Sequence, residues 1–169
     1  MTLITPEYLT LQKQLHATNE AYGTSGRKYA DIVRQISKWG RLAILDYGCG
    51  KKTLAQALGP AYRVTNYDPC IEGLDTPPEP HPVVTCTDVL EHIEPELIDN
   101  VLSDIRRLTQ RVALLVINTG PAMKVLADGR NAHISQHPPE WWIERIKTAG
   151  FEVTDHFEEA HNTFGVIVI

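Results

Sequence analysis

The sequence predicts an open α/β fold, Rossmann-like, with a mostly parallel sheet flanked by helices, and three observations carry that expectation. Residues 43 to 50 read AILDYGCG, an apolar run that reaches Asp46 and then turns through Gly48 and Gly50. Residues 64 to 69, VTNYDP, form a second apolar run that ends in an acidic residue, Asp68, about twenty residues after the first glycine. Along the chain, short apolar runs alternate with stretches whose apolar residues recur at helical spacing, the pattern of βαβ units.

Taken in order, residues 6 to 17 can form a helix, followed by the turn-rich stretch Tyr22-Gly-Thr-Ser-Gly26. Tyr29, Ile32, Val33 and Ile36 then make one apolar stripe at helical spacing, expected to pack on the sheet. The strand ending at Asp46 opens through the glycines into a helix, and the strand ending at Asp68 follows. Residues 82 to 93, PVVTCTDVLEHI, hold a further apolar strand. Pro95 suits a first helical turn, and Leu97, Ile98, Val101, Leu102, Ile105 and Leu108 line one face of the helix after it. RVALLVI, 111 to 117, reads as a parallel strand buried on both faces. Pro138 and Pro139 precede a helix through Trp142 and Ile146, which Gly150 ends. Of the pair Trp141 and Trp142, one is expected in the core and the other partly exposed.

The glycine turn identifies the ligand class. A strand ending in Asp-x-Gly-x-Gly brings bare backbone close to a ligand, because glycine has no Cβ to block the approach. A triphosphate loop would need GxxxxGK[ST], but Leu45 stands five before Gly50, and Lys51 is followed by Lys52. A dinucleotide site would need a third glycine where Thr53 stands, and its pyrophosphate would be repelled by Asp46. That carboxylate suits a cofactor with a positive end. S-adenosylmethionine (SAM), with its sulfonium and ammonium groups, fits, and Asp68 can accept hydrogen bonds from its ribose hydroxyls.

On these residues the chain resembles the class I SAM-dependent methyltransferases, whose first motif ends in D-x-G-x-G and whose second strand ends in an acidic residue. Asp88-Val-Leu-Glu-His92 is similar to the fourth-strand motif of the small-molecule members of the ubiquinone and menaquinone biosynthesis type. The resemblance implies that Asp46, Gly48, Gly50, Asp68, Pro69 and Asp88 bind the cofactor. It also implies that Tyr22 closes over the methionine end as part of a helical lid. A tyrosine face beside a sulfonium gains about 1 kcal/mol of cation–π attraction. Strands at 151 to 157 and 163 to 169 fit the closing antiparallel pair of that sheet. One feature departs from the family. Only IEGLDTPPEPHP, with its four prolines, lies between Cys70 and Val83, so the third strand is expected to be shortened or absent. Leu74 or Asp75 is then a candidate replacement in the adenine pocket, and the new sheet edge calls for cover by this loop or by a second subunit.

Composition fits one domain over 1–169, with 1–40 as helical lid and packing helix and 41–169 as the core. A net charge of −5 offers no broad footprint for nucleic acid, leaving only a local cluster at Arg106, Arg107 and Arg111. Cys49, Cys70 and Cys86 have no metal-like spacing and read as reduced thiols of a cytoplasmic protein; no metal is expected. No apolar run reaches membrane length.

Residues 118 to 137 lack a sustained period, and such spans in compact domains are usually functional. Following a strand of the sheet, they begin at its carboxyl edge, where open α/β folds bind ligands. Asp128, Arg130, Asn131, His133 and His137 make this segment the candidate acceptor site, with Arg130 and Asn131 beside His133 to hold an anionic or polar group. Methyl transfer from a sulfonium is an in-line displacement that depends chiefly on alignment. A base is needed for a hydroxyl or a protonated amine, and His92 and His133 are the candidates. The fourth-strand position reads TDVL, without the Asn/Asp-Pro-Pro-aromatic tetrad of base-directed amino-methyltransferases. Nor does a cysteine sit in a Pro-Cys pair placed to attack cytosine, so a small-molecule or modified-nucleotide acceptor is favoured. The alternatives are a SAM-binding, non-catalytic subunit of a larger complex and, more weakly, a nicotinamide-dependent oxidoreductase.

Overall fold

A computed structural model describes residues 1–38 and 43–169. Its centre is a six-stranded sheet in the order β2-β1-β3-β4-β6-β5. The strands are β1 (Ile44–Tyr47), β2 (Val64–Tyr67), β3 (His81–Thr87), β4 (Thr109–Asn118), β5 (Val153–Glu159) and β6 (Thr163–Val168). β2, β1, β3 and β4 run parallel, while β6 is antiparallel to both of its neighbours, β4 and β5. The helices are α1 (Pro6–Thr18), α2 (Ala30–Ile36), α3 (Thr53–Leu58), α4 (Ile98–Leu108) and α5 (Pro139–Thr148). The junction at 40/41 expected between lid and core lies outside the described residues.

The inner strands β1, β3 and β4 are buried on both faces along their apolar runs, whereas the edge strands β2 and β5 are more open to solvent. In β4, Ala113, Leu115 and Ile117 face the layer of α4 and α5, and Leu114 and Val116 face that of α2 and α3. The predicted stripe of α4 packs through Ile98, Val101, Leu102, Ile105 and Leu108, each 0–1% exposed. Burial of one such side chain stabilises the fold by about 1.5–3 kcal/mol. Trp142 is the core member of the tryptophan pair; Trp141 is half-buried and stacks on His137 at 3.7 Å between ring centres.

One boundary and one register depart from the expected regular strands for local reasons. The strand expected from 151 begins at Val153, because Phe151 closes α5: its N–H donates to Ile146 O, and that of Gly150 (φ 92) donates to Lys147 O. These are the two bonds of a Schellman cap. In β3 the register shifts between His81 and Val83, where Pro82 has no N–H for the ladder.

Among the described residues no strand lies between β2 and β3. The intervening loop is pinned at its start, where Asp68 N–H donates to Leu74 O at 2.9 Å. β2 is therefore an edge strand of four residues, paired with β1 alone, and its shortness limits the unpaired edge.

A third apolar cluster, Tyr8, Leu15, Tyr22, Leu126 and Ala132, joins α1 to the segment that follows β4. Thr5 caps α1 and is itself gripped by Glu94, whose Oε2 accepts from Thr5 N–H at 2.9 Å and whose Oε1 accepts from its hydroxyl at 2.5 Å. Among the described residues no helix is long and apolar enough to cross a membrane.

Candidate functional site

A cleft of about 670 Å3 lies at the carboxyl ends of β1 to β4, beneath α1 and the segment after β4. The residues expected to bind the cofactor or to act as base all border it: Tyr22, Asp46, Gly48, Gly50, Asp68, Pro69, Asp88, His92 and His133.

Two buried carboxylates form its floor. Asp46, at the end of β1, is 3% exposed and accepts from Thr85 Oγ1 at 3.0 Å. Burial pushes its carboxyl up to about 7, with the Thr85 hydrogen bond opposing and Asp68 adding to the rise. Asp68 accepts from Gly50 N–H through Oδ2 at 3.0 Å and from Cys70 N–H through Oδ1 at 2.9 Å. Each of its oxygens retains a lone pair for a further donor.

The glycines serve the backbone more than the sequence implied. Gly48 (φ 75) and Gly50 (φ 49) are both left-handed, but the space a Cβ would take is already filled. At Gly48 it would meet the side chain of Val89; at Gly50 it would meet the carbonyl of Gly23. The same Gly23 carbonyl accepts from Lys51 N–H at 2.8 Å, and Lys51 Nζ donates to Asn19 O and Glu20 O. The turn after β1 thus docks the segment that follows α1. Asp88, just past β3, also adopts a left-handed conformation (φ 53), with its N–H donating to Val116 O.

The roof is a chain of side chains. Gln12 Nε2 donates to Tyr8 Oη at 2.7 Å, and Tyr22 Oη donates to Gln12 Oε1 at 2.8 Å. The Tyr22 ring packs edge-on against His92 at 5.4 Å between centres, and Lys124 Nζ stands 5.4 Å from the Tyr22 ring centre. The two candidate bases are brought together, their rings 4.7 Å apart in an edge-to-face pair. His92 Nδ1 contacts Ala132 O at 2.7 Å, and His133 Nδ1 contacts Gly120 O at 2.7 Å. A carbonyl only accepts, so both rings carry their proton on Nδ1 and leave Nε2 with a free lone pair. Burial and the neighbouring His133 lower His92 to about 3.

Several expectations are corrected. Arg130 and Asn131 do not border the cleft. The Asn131 amide is spent on its own loop, accepting from Ala122 N–H and His133 N–H and donating to Ala122 O, while Arg130 turns outward to pair with Asp128 at 2.7 Å. His137 is held in its stack on Trp141. Neither Leu74 nor Asp75 reaches the cleft, because the loop folds back through the Leu74 carbonyl; Pro69, Cys70 and Val89 border it instead. Sequence reasoning missed His16, Gln12 and Lys124, which also line the cleft. His16 and Gln12 lie four apart on α1, a helical spacing that was legible. It missed Glu91 as well, which is fully buried below the histidine pair. Among the described residues the three cysteines are free, and burial raises the thiol of Cys70 to about 12 and those of Cys49 and Cys86 well upward. None is poised as a nucleophile.

No protein-family model matches the chain, and no curated protein matches its sequence. Solved structures do match its fold. 1,6-Didemethyltoxoflavin-N1-methyltransferase from Burkholderia thailandensis, with 1,6-didemethyltoxoflavin and S-adenosylhomocysteine bound, aligns with a TM-score of 0.73 at 14% identity, over 99% of this chain and 91% of its own. Magnesium protoporphyrin IX methyltransferase (ChlM) from Synechocystis PCC 6803, also with S-adenosylhomocysteine (SAH), aligns at 0.68 and 15% identity, over 95% of this chain and 97% of its own. The DhpI–SAH complex aligns at 0.63 and 19% identity, over 96% and 93%. The chain has the fold of the class I SAM-dependent small-molecule methyltransferases.

Proposed function

We propose that the chain transfers a methyl group from SAM to a small-molecule or modified-nucleotide acceptor. The observation that carries this reading is the pair of buried carboxylates, Asp46 and Asp68, on either side of the glycine turn. Two carboxylates disfavour a phosphate chain and suit a ligand with cationic sulfonium and ammonium groups, which would favour the ionised form of Asp46, and a ribose. Asp46 would face the cationic end, and Asp68, with lone pairs to spare, the ribose hydroxyls. When bound, SAM supplies an electrophilic methyl group, and displacement leaves a neutral thioether.

The chain's own contribution is enclosure and alignment. The cluster around Tyr8, Tyr22 and Leu126 covers the cleft, which favours a displacement that disperses charge and keeps water from competing. Where the acceptor arrives as a hydroxyl or an ammonium, His133 is the better base, because its Nε2 lone pair is free and its ring is half-buried. His92 shares the tautomer, but at about 3 it accepts a proton poorly near neutral pH. The three free cysteines support the cytoplasm as the compartment.

Calorimetric titration with SAM, SAH and NAD in parallel tests the reading, followed by methyl-labelled SAM against an acceptor panel. Binding of SAM and SAH but not NAD, with label transferred, supports it. Binding without transfer to any acceptor favours a non-catalytic SAM-binding subunit, and preference for NAD overturns both.

A further inference from the structure

We propose that Glu91, His92 and His133 form a binding site for a divalent first-row transition metal in the wall of the cleft. One ligating atom from each, a carboxylate oxygen and two imidazole nitrogens, lie within 4.8 Å of one another. Ligands held at about 2.0–2.2 Å from such an ion stand roughly 3–4 Å apart, so closing the set takes a movement of about 1 Å. Two imidazoles and one carboxylate suit iron, manganese, cobalt or zinc better than magnesium or calcium, which prefer oxygen.

An independent observation points the same way. Glu91 is 0% exposed, and only half of its carboxylate is used: Oε1 accepts from Asn118 N–H at 3.0 Å, whereas Oε2 has no partner. Leaving a buried acceptor unsatisfied is costly, and a glutamine would serve Asn118 equally well. A cation beside Oε2 accounts for both the charge and the missing partner.

The surrounding bonds also fit ligation. Metal-binding histidines characteristically donate their other ring N–H to a backbone carbonyl, which fixes the tautomer and aims the free nitrogen. His92 does so to Ala132 O and His133 to Gly120 O. Asn131 holds the His133 backbone in place through its N–H, and Ser135 N–H donates to Glu91 O. Two segments remote in sequence, Glu91-His92 and the stretch around His133, are thereby locked into one constellation, which is why the full ligand set is not visible as a local spacing in the chain.

Three protein ligands leave coordination positions open, and both histidines border the cleft. Resting on the methyltransferase reading, those positions would take an acceptor hydroxyl and make it more acidic. Its proton passes to water, its oxygen forms the bond to the methyl carbon, and the sulfur–methyl bond breaks to leave the thioether. With the ion bound, the imidazoles act as ligands and not as bases.

The test is calorimetric titration of the chelator-treated full chain with Co2+, together with the visible absorption of the bound ion, in the absence of SAM. One Co2+ per chain is expected. Glu91→Gln, which keeps the acceptor for Asn118, and His133→Ala should each weaken binding by at least about a hundredfold, more than the 10–100-fold typical of a lost supporting partner. Exposed His156→Ala should leave it unchanged. Circular dichroism checks that each variant is folded. Wild-type affinity in both folded variants, or no Co2+ binding by the wild type, overturns the proposal. Because Co2+ is titrated alone, failure here is distinct from failure to bind SAM.

Discussion

Replacing Gly48 with alanine should destabilise the fold through two separable effects. The left-handed backbone (φ 75) costs an alanine about 1–2 kcal/mol. The new Cβ also meets the Val89 side chain, and overpacking of that kind costs about 1–3 kcal/mol. Gly48→Ala should therefore lose about 2–5 kcal/mol in all. Val89→Ala alone removes two half-buried methyl groups, a loss of about 1 kcal/mol. In the double variant the clash is gone and the backbone cost remains, so its loss should be about 2–3 kcal/mol. That is smaller than the sum of the singles by the clash energy. Urea unfolding followed by circular dichroism closes the double-mutant cycle. A coupling energy within about 0.5 kcal/mol of zero would refute the claim that Gly48 is required by Val89, and would return the position to ligand contact alone.

Gly150→Ala isolates the backbone cost, since its Cβ would approach nothing closer than Arg106 Nε at 3.9 Å; a loss of about 1–2 kcal/mol, a fall in Tm of roughly 2–8 °C, is expected by thermal melting. Asp68→Ala strands the N–H groups of Gly50 and Cys70 and should cost about 3 kcal/mol in urea unfolding, along with SAM binding; full stability would contradict the anchoring role. Asp46 titrates near 7 when folded and near 3.8 in the unfolded chain, so the folded state holds the extra proton between those values. Its contribution to stability therefore falls as pH rises from about 4 to 7, and Asp46→Asn should flatten that part of the Tm profile relative to wild type. For the same reason SAM affinity should weaken, by up to about tenfold per pH unit, as pH drops below about 7. A SAM affinity independent of pH between 5 and 8 would remove Asp46 from the cationic end of the ligand.

The centre of the sheet was legible because β1, β3 and β4 are buried on both faces and the helices on one, so periodicity separates them. The lost third strand could be read from the four prolines between Cys70 and Val83. Boundaries failed where a terminal group was claimed by a neighbour, as Phe151 is by the cap of α5. The nine candidate residues share one cleft because each lies at the carboxyl edge of the sheet or on the segments above it. Their partners were less accessible to reading. That Gly50 makes room for Gly23, that Asn131 satisfies its own loop, and that Glu91 lies under His133 all depend on contacts between distant segments. No local pattern encodes such contacts.

The placement of β6 imposes an order on assembly. β5 has β6 as its sole neighbour in the sheet, and β6 is also what covers the free side of β4. As the chain leaves the ribosome, the four parallel strands can pair among themselves, yet β5 emerges with nothing to join. Until residues 163–168 follow, β4 keeps an open ladder along its apolar run from Val112 to Ile117, the kind of surface that recruits a second nascent chain. The final hairpin is thus a stopper as well as a structural element. Slow synthesis across residues 119 to 162 would lengthen the interval in which that ladder stands exposed, and with it the window for aggregation.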